Sequence, residues 1–225
     1  MRSSLNGVRS VAAVLGVLVA GSALAQERIG VGFDPFFESS TMSGEQSINI
    51  SRFDESFDYG AAGGAVSAWL LWSAEKRVRV GPGLRVYGNY GSGDNPQFIF
   101  GFLTDAFAMG EYSLNVIEKF DVIFGGRAGL SVLVPGQELS SEIQRLRLQG
   151  VDAWNVPRLG WLAGLSLGTR RQMSEKIWLR ADFHGEYTQL FLFATHHSVD
   201  GFDVGKAWNT HSIRLGLLLG AEFSL

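Results

Sequence analysis

The sequence predicts an all-β protein: an eight-stranded antiparallel up-and-down transmembrane β-barrel. Three observations carry that expectation. Apolar and polar residues alternate with period two over long segments, which gives each strand one apolar face and one polar or small one. The connections between the eight candidate strands alternate between short and long, as in a meander with its long loops at one end. After residue 25 no apolar run reaches the roughly 20 residues of a spanning helix, so a chain that enters a membrane does so as strands.

Composition narrows the field further. Nineteen Lys and Arg stand against 22 Asp and Glu, a net charge of -3, which gives no basic excess to hold nucleic acid. With 46% hydrophobic and 18% charged residues the chain is no disordered polyelectrolyte. The absence of Cys excludes a disulfide scaffold, so stability must come from burial and backbone pairing.

The first 25 residues read as a secretory signal peptide. Arg2 and Arg9 precede the uncharged apolar run 11–20, and Ala23-Leu24-Ala25 forms a small-x-small cleavage site before Gln26. Residues 26–225 are then expected to form a single barrel domain. No Cys stands at the cleavage site, so no lipid-modified N-terminus is expected.

The clearest strands come next. Residues 78–90 place Val78, Val80, Pro82, Leu84, Val86 and Tyr90 on one face and Arg79, Gly81, Gly83, Arg85 and Asn89 on the other. In 121–134, Val122, Phe124, Ala128, Leu130, Val132 and Val134 alternate with Arg127, Gly129 and Ser131, with Ile123 as the exception to phase. In 177–187, Ile177, Leu179, Ala181, Phe183 and Tyr187 alternate with Trp178, Arg180, Asp182, His184 and Glu186. Residues 212–225 alternate Ile213, Leu215, Leu217, Leu219 and Phe223 with Arg214, Gly216, Gly220 and Glu222. Weaker patterns at 29–37, 57–72, 106–117 and 159–170 complete the set, with 98–103 as an alternative or an extension of the fourth strand. Short turns are expected at 73–77, 118–120 and 171–176, and long loops at 38–56, 91–105, 135–158 and 189–209. Leu139, Ile143 and Leu146 have helical spacing within the third of these loops.

The apolar faces carry the large side chains, and the other faces carry Arg, Asp, Glu, His and Gly. A closed barrel in lipid satisfies every backbone polar group and turns its apolar set outward. A soluble exported barrel enclosing an apolar ligand is the competing fold, with the faces inverted. In organisation the chain resembles the small eight-stranded outer-membrane barrels, such as the transmembrane domain of outer-membrane protein A and the X/Ail-type barrels. The resemblance covers 29–225 and is strongest in the last strand, whose alternation is similar to the signal read by the barrel-insertion machinery, with Leu225 in the terminal position where an aromatic is usual and Phe223 two residues earlier.

That reading assigns Arg79, Arg85, Arg127, Arg180, Asp182, His184, Glu186, Arg214 and Glu222, with Glu111, to an interior charge network, because enclosed ions must be paired. Trp69, Trp72, Tyr90, Trp161, Tyr187 and Trp208 are expected in interfacial girdles, and Trp178 points inward by phase. His197 and Ser198 are the candidate pair for the alternative function, a lipid A acyl hydrolase or acyltransferase, and His211-Ser212 invites the same comparison. Asp200-Gly201-Phe202-Asp203 and Gly93-Asp94-Asn95 are turn chemistry, so no metal and no cofactor is expected. The expected function is structural or surface-interacting and non-enzymatic, in a Gram-negative-type outer membrane. The expected partners are outer-membrane lipid and lipopolysaccharide, the insertion machinery, and an extracellular partner met through the loops.

Overall fold

The protein is described by a computed structural model covering residues 27–75, 77–91, 99–148, 154–199 and 202–225, with the backbone alone for 193, 196–199 and 202–204. Eight strands follow one another round a closed barrel: β1 (Arg28–Ile48), β2 (Ser51–Ser73), β3 (Val78–Gly91), β4 (Ile99–Ile117), β5 (Phe120–Pro135), β6 (Arg158–Gln172), β7 (Ile177–Val199) and β8 (Phe202–Ser224). All neighbours pair antiparallel, and β1 closes on β8 from Arg28↔Ser224 to Ile48↔Val204. The three short turns fall where the alternation breaks, and they share one end of the barrel with Arg28 and Ser224.

The opposite end differs from the expected open loops. Residues 38–56 and 189–209 are not loops but the upper parts of the β1–β2 and β7–β8 hairpins. The β1–β2 ladder runs unbroken from Arg28↔Leu71 to Ile48↔Ser51, and β7 and β8 pair up to Val199↔Phe202. A two-residue turn at Asn49-Ile50 is reached with Asn49 at φ 51, a conformation Asn tolerates better than most residues. These extensions escape a hydrophobicity reading because an outer face that meets water needs no apolar residues, and Ser39, Thr41 and Ser43 supply none. The fourth strand likewise begins at Ile99, below the expected 106, so 99–105 belongs to β4. Within the third connection a helix, α1 (Gln137–Leu148), buries Leu139, Ile143 and Leu146, the residues with helical spacing.

Two glycines reset the phase of the wall. Gly88 has φ 70 at a register shift in β3, and Gly101 opposite Tyr90 has φ 144. Above Gly88 the inward and outward positions exchange, so Tyr90, expected on the apolar outer face, points into the lumen and is 4% exposed. Gly101 does the same for Phe100, which stacks on Tyr90 at 5.8 Å. A Cβ at Gly101 would lie 2.0 Å from the Val134 carbonyl oxygen, so the close approach also requires glycine.

The outer wall carries Phe33, Phe37, Leu165, Leu179, Phe183, Ile213 and Leu215, all exposed. The interior carries the charges. The apolar-ligand barrel is therefore corrected: its greasy face is the outside. Three girdle residues are corrected as well. Trp69 donates its indole N–H to Glu222 in the lumen, Tyr90 faces inward, and Trp208 packs on the inner aromatic cluster. Trp72 lies on the outer wall beside Val80 and Pro82. Trp161 and Tyr187 face outward with rings 5.3 Å apart, whereas Trp178 turns inward under Arg28, as its phase predicts.

Candidate functional site

The lumen is filled in three storeys, and the strand register dictates each one. At the turn end, Arg28, Arg79, Arg170 and Arg180 meet Glu111, Asp121, Asp182 and Glu222. Arg180 is fully enclosed and reaches Glu111 at 2.7 Å, Glu222 at 2.7 Å and Asp182 at 2.6 Å. Arg170 spans Asp121, Glu111 and Glu222. Their guanidinium planes also lie over indoles: Arg28 and Arg170 over Trp178, and Arg180 over Trp69.

The second storey gathers Arg85, Arg127, Arg214 and His184 with Asp34, Glu38, Asp105 and Glu186. Arg85 bonds Asp34 at 3.0 Å and Glu186 at 2.7 Å, and Arg127 pairs with the same Glu186. His184 Nε2 lies 2.7 Å from Asp34, and Arg214 holds Glu38 at 2.5 Å. Hydroxyls of Tyr87, Ser131, Ser40 and Tyr90 occupy remaining carboxylate lone pairs on Asp105 and Glu38. Between the storeys lies a cavity of about 20 Å³ bounded by Ser67, Phe107, Asp182 and Leu218, room for about one water molecule.

The third storey is apolar. Phe36, Tyr59, Tyr90, Phe100, Leu103 and Leu133 form a plug under α1, whose Leu139 and Ile143 pack onto it. Above the plug, Phe57 and Trp208 continue the aromatic series up the inner face of the tall hairpins, 6.1 Å apart.

All nine residues assigned to the interior from phase are inside, as is Glu111. The sequence reading missed Arg28, Asp34, Glu38, Asp105, Asp121 and Arg170. Asp34 and Glu38 share the even phase of Arg28 and Ser40 in β1, a signal that was legible but weak. Asp105 stood in an assumed loop, and its inward position follows from the earlier start of β4.

The residues of the alternative function divide differently. The backbone of His197 and Ser198 pairs with Val204 and Asp203 in the β7–β8 hairpin, above the barrel, and their side chains lie outside those described. His211 faces outward with Nδ1 2.6 Å from the Tyr187 hydroxyl, whereas Ser212 faces the lumen 2.8 Å from Ser40. The wall separates the two, so that pair forms no dyad. Gly93-Asp94-Asn95 and Asp200-Gly201 lie outside the described residues, as do residues 1–26 and the side chain of Asp203. Among the described residues, no group of His, Asp and Glu has the geometry to hold a metal ion.

No protein-family model matches the chain, and no curated protein matches it. Among solved structures, the outer membrane protein OprG from Pseudomonas aeruginosa is similar at 11% identity with a TM-score of 0.56, covering 89% of this chain and 96% of that one. The fold is that of an outer-membrane β-barrel. Neisserial surface protein A matches at 11% identity and a TM-score of 0.42, over 80% of this chain and 95% of its own. Ail of Yersinia pestis matches at 9% and 0.33, over 90% and 100%. The likeness to small outer-membrane barrels read from the strand pattern is met at the level of fold.

Proposed function

We propose that this chain is a non-enzymatic outer-membrane barrel with a structural or surface-interaction role, anchored by its wall and presenting the β1–β2 and β7–β8 hairpins and α1 outside the cell. The observation that carries the reading is the division of labour along the barrel axis. The wall is apolar, the lumen is closed by paired charges and an aromatic plug, and the hairpin end rises well beyond the wall. Buried ion pairs need partners wherever they occur, and here they fill a narrow barrel whose cross-section leaves no room for a wide channel.

The upper edge of the lipid belt is read from one row of outward residues. Trp161, Gln189, His211, Thr41 and Asp58 stand directly opposite one another across β6, β7, β8, β1 and β2. They are linked by Trp161 to Gln189 at 3.0 Å and Thr41 to Asp58 at 2.6 Å. Polar side chains with amphipathic rings suit the headgroup level of outer-membrane lipid and lipopolysaccharide. Strand residues above that row would stand clear of lipid, where an extracellular partner can reach them. Export by a cleaved leader and delivery to the insertion machinery complete this reading.

Cell fractionation, with gel electrophoresis before and after boiling, tests it. Recovery in the outer membrane with a heat-dependent mobility shift is expected. Because the chain has no Cys, Ser56→Cys offers a single label site on β2, and an impermeant maleimide should label it on intact cells. A soluble periplasmic protein without a shift, or an unlabelled Ser56→Cys, refutes the reading.

A further inference from the structure

Among the described residues, the ladder that closes the barrel stops short of its rim at β2. β2 pairs with β1 from Arg28↔Leu71 to Ile48↔Ser51, but with β3 only from Val66↔Val86 downward. Among the described residues nothing pairs with the other edge of residues 51–65. β3 ends at Gly91, which the β2–β3 register carried upward sets about level with Ala61, so residues 51–58 stand above the top of β3. Every residue from Ser51 to Asp58 is exposed; at the lower end Phe57 leans on Trp208 and Asp58 accepts from Thr41, and among the described residues no strand lies along the second edge of the stretch.

An exposed strand edge offers a row of free backbone donors and acceptors, and native proteins blunt such edges with charged side chains, Pro, bulges or short length. Of these devices 51–58 carries charge alone, in Arg52, Asp54, Glu55 and Asp58; it has no Pro, and the ladder on its paired side carries no bulge, so the edge is barred to like charge and open to a strand of opposite charge. The side chains are arranged as a strand acceptor would need them. One face carries Arg52, Asp54, Ser56 and Asp58; the other carries Ser51, Phe53, Glu55 and Phe57, with the two Phe rings 56% and 48% exposed on either side of Glu55. With Glu45 on the facing strand and Glu55, the stretch has four carboxylates to one guanidinium, and that one, Arg52, is already 3.4 Å from Glu45, so it is net acidic.

We infer that the upper edge of β2 takes an extended basic segment of a partner protein as an added strand. Backbone pairing supplies the affinity and the alternating side chains the selectivity. Lys or Arg residues on one face of the added strand would meet Asp54 and Asp58, and apolar residues on its other face would cover Phe53 and Phe57. A second copy fits poorly, because pairing the same edge to itself sets an acidic strand against an acidic strand. This inference deepens the surface-interaction reading and rests on it for its biological setting.

The test uses the full protein refolded in zwitterionic micelles, its folding verified by heat-dependent mobility, so it succeeds or fails independently of where the protein sits in cells. The probe is a fluorescent peptide of alternating lysine and valine, read by anisotropy against empty micelles. Saturable binding is expected. Methylating alternate backbone nitrogens of the peptide should weaken it by about tenfold or more, since the added ladder is lost while the charge is kept. Asp54→Lys and Asp54→Lys/Asp58→Lys should weaken it progressively and make a glutamate–valine peptide the better ligand. Equal binding of the N-methylated peptide would reduce the effect to charge attraction and overturn strand addition. Unchanged binding to both variants would move the site away from β2 and overturn the inference as well.

Discussion

Replacing Arg180 by Met tests how the lumen is held together, because the partners of this side chain are unequal in what they lose. Arg180 touches Glu111, Glu222 and Asp182 and is fully enclosed. Without it, Glu111 keeps Arg170 at 2.9 Å and Arg79 at 3.4 Å, and Glu222 keeps Arg28 and Arg170, each at 3.3 Å. Asp182 is different: among the described residues Arg180 is the cation that pairs with it, and it is 3% exposed. One carboxylate, not three, is therefore left uncompensated, and a buried charge without its partner costs about 3–5 kcal/mol. With a urea dependence of about 2 kcal/mol per molar, the unfolding midpoint should fall by about 1.5–2.5 M. Tryptophan fluorescence during urea unfolding from lipid vesicles measures it. Adding Asp182→Asn removes the orphaned charge, and the double variant should recover most of the loss. An unchanged midpoint for Arg180→Met, or a double variant no better than the single one, would refute the claim that pairing of enclosed charges governs this lumen.

Three further outcomes are expected. Leu217→Arg or Phe183→Arg places a charge on the exposed outer wall and should prevent insertion, at a cost of about 2–4 kcal/mol near mid-bilayer, seen as loss of the heat-shifted band. Gly88→Ala should cost about 1–2 kcal/mol for its positive φ alone, since a Cβ there meets nothing within 4 Å. Gly101→Ala should cost more, because backbone atoms of Val134 and Gly136 occupy the same space; comparative urea midpoints order the two. Ser198→Ala and His197→Ala should leave lipid A mass spectra unchanged, and a lost acyl-chain shift in either variant would restore the enzymatic reading.

Period two made the lower barrel legible. Along β7, the inward series Arg180, Asp182, His184 and Glu186 could be assigned because an outer face meeting lipid must be apolar at every second residue, which leaves the polar set the lumen. The same logic failed above the belt. In 38–56 and 189–209 neither face has to be apolar, so strands that pair throughout, with one register shift between Phe191 and Phe193, look like loops. It failed again at Tyr90, where one glycine at positive φ exchanges the faces and the sequence carries no mark of which glycine does so.

The sequence by itself therefore determined the fold class, the number and order of strands, the turn end, and the nine interior residues, all of which follow from local alternation. It also determined that α1 could form, through Leu139, Ile143 and Leu146. Tertiary structure decided which acid meets which arginine, that Asp34, Glu38 and Asp105 join them, that α1 caps an aromatic plug, and that among the described residues no strand pairs with the upper edge of β2. The physical reason is that alternation reports only which side of the wall a residue faces. Height along the barrel axis is set by register and bulges between strands far apart in sequence, and it is height that brings one charge to another.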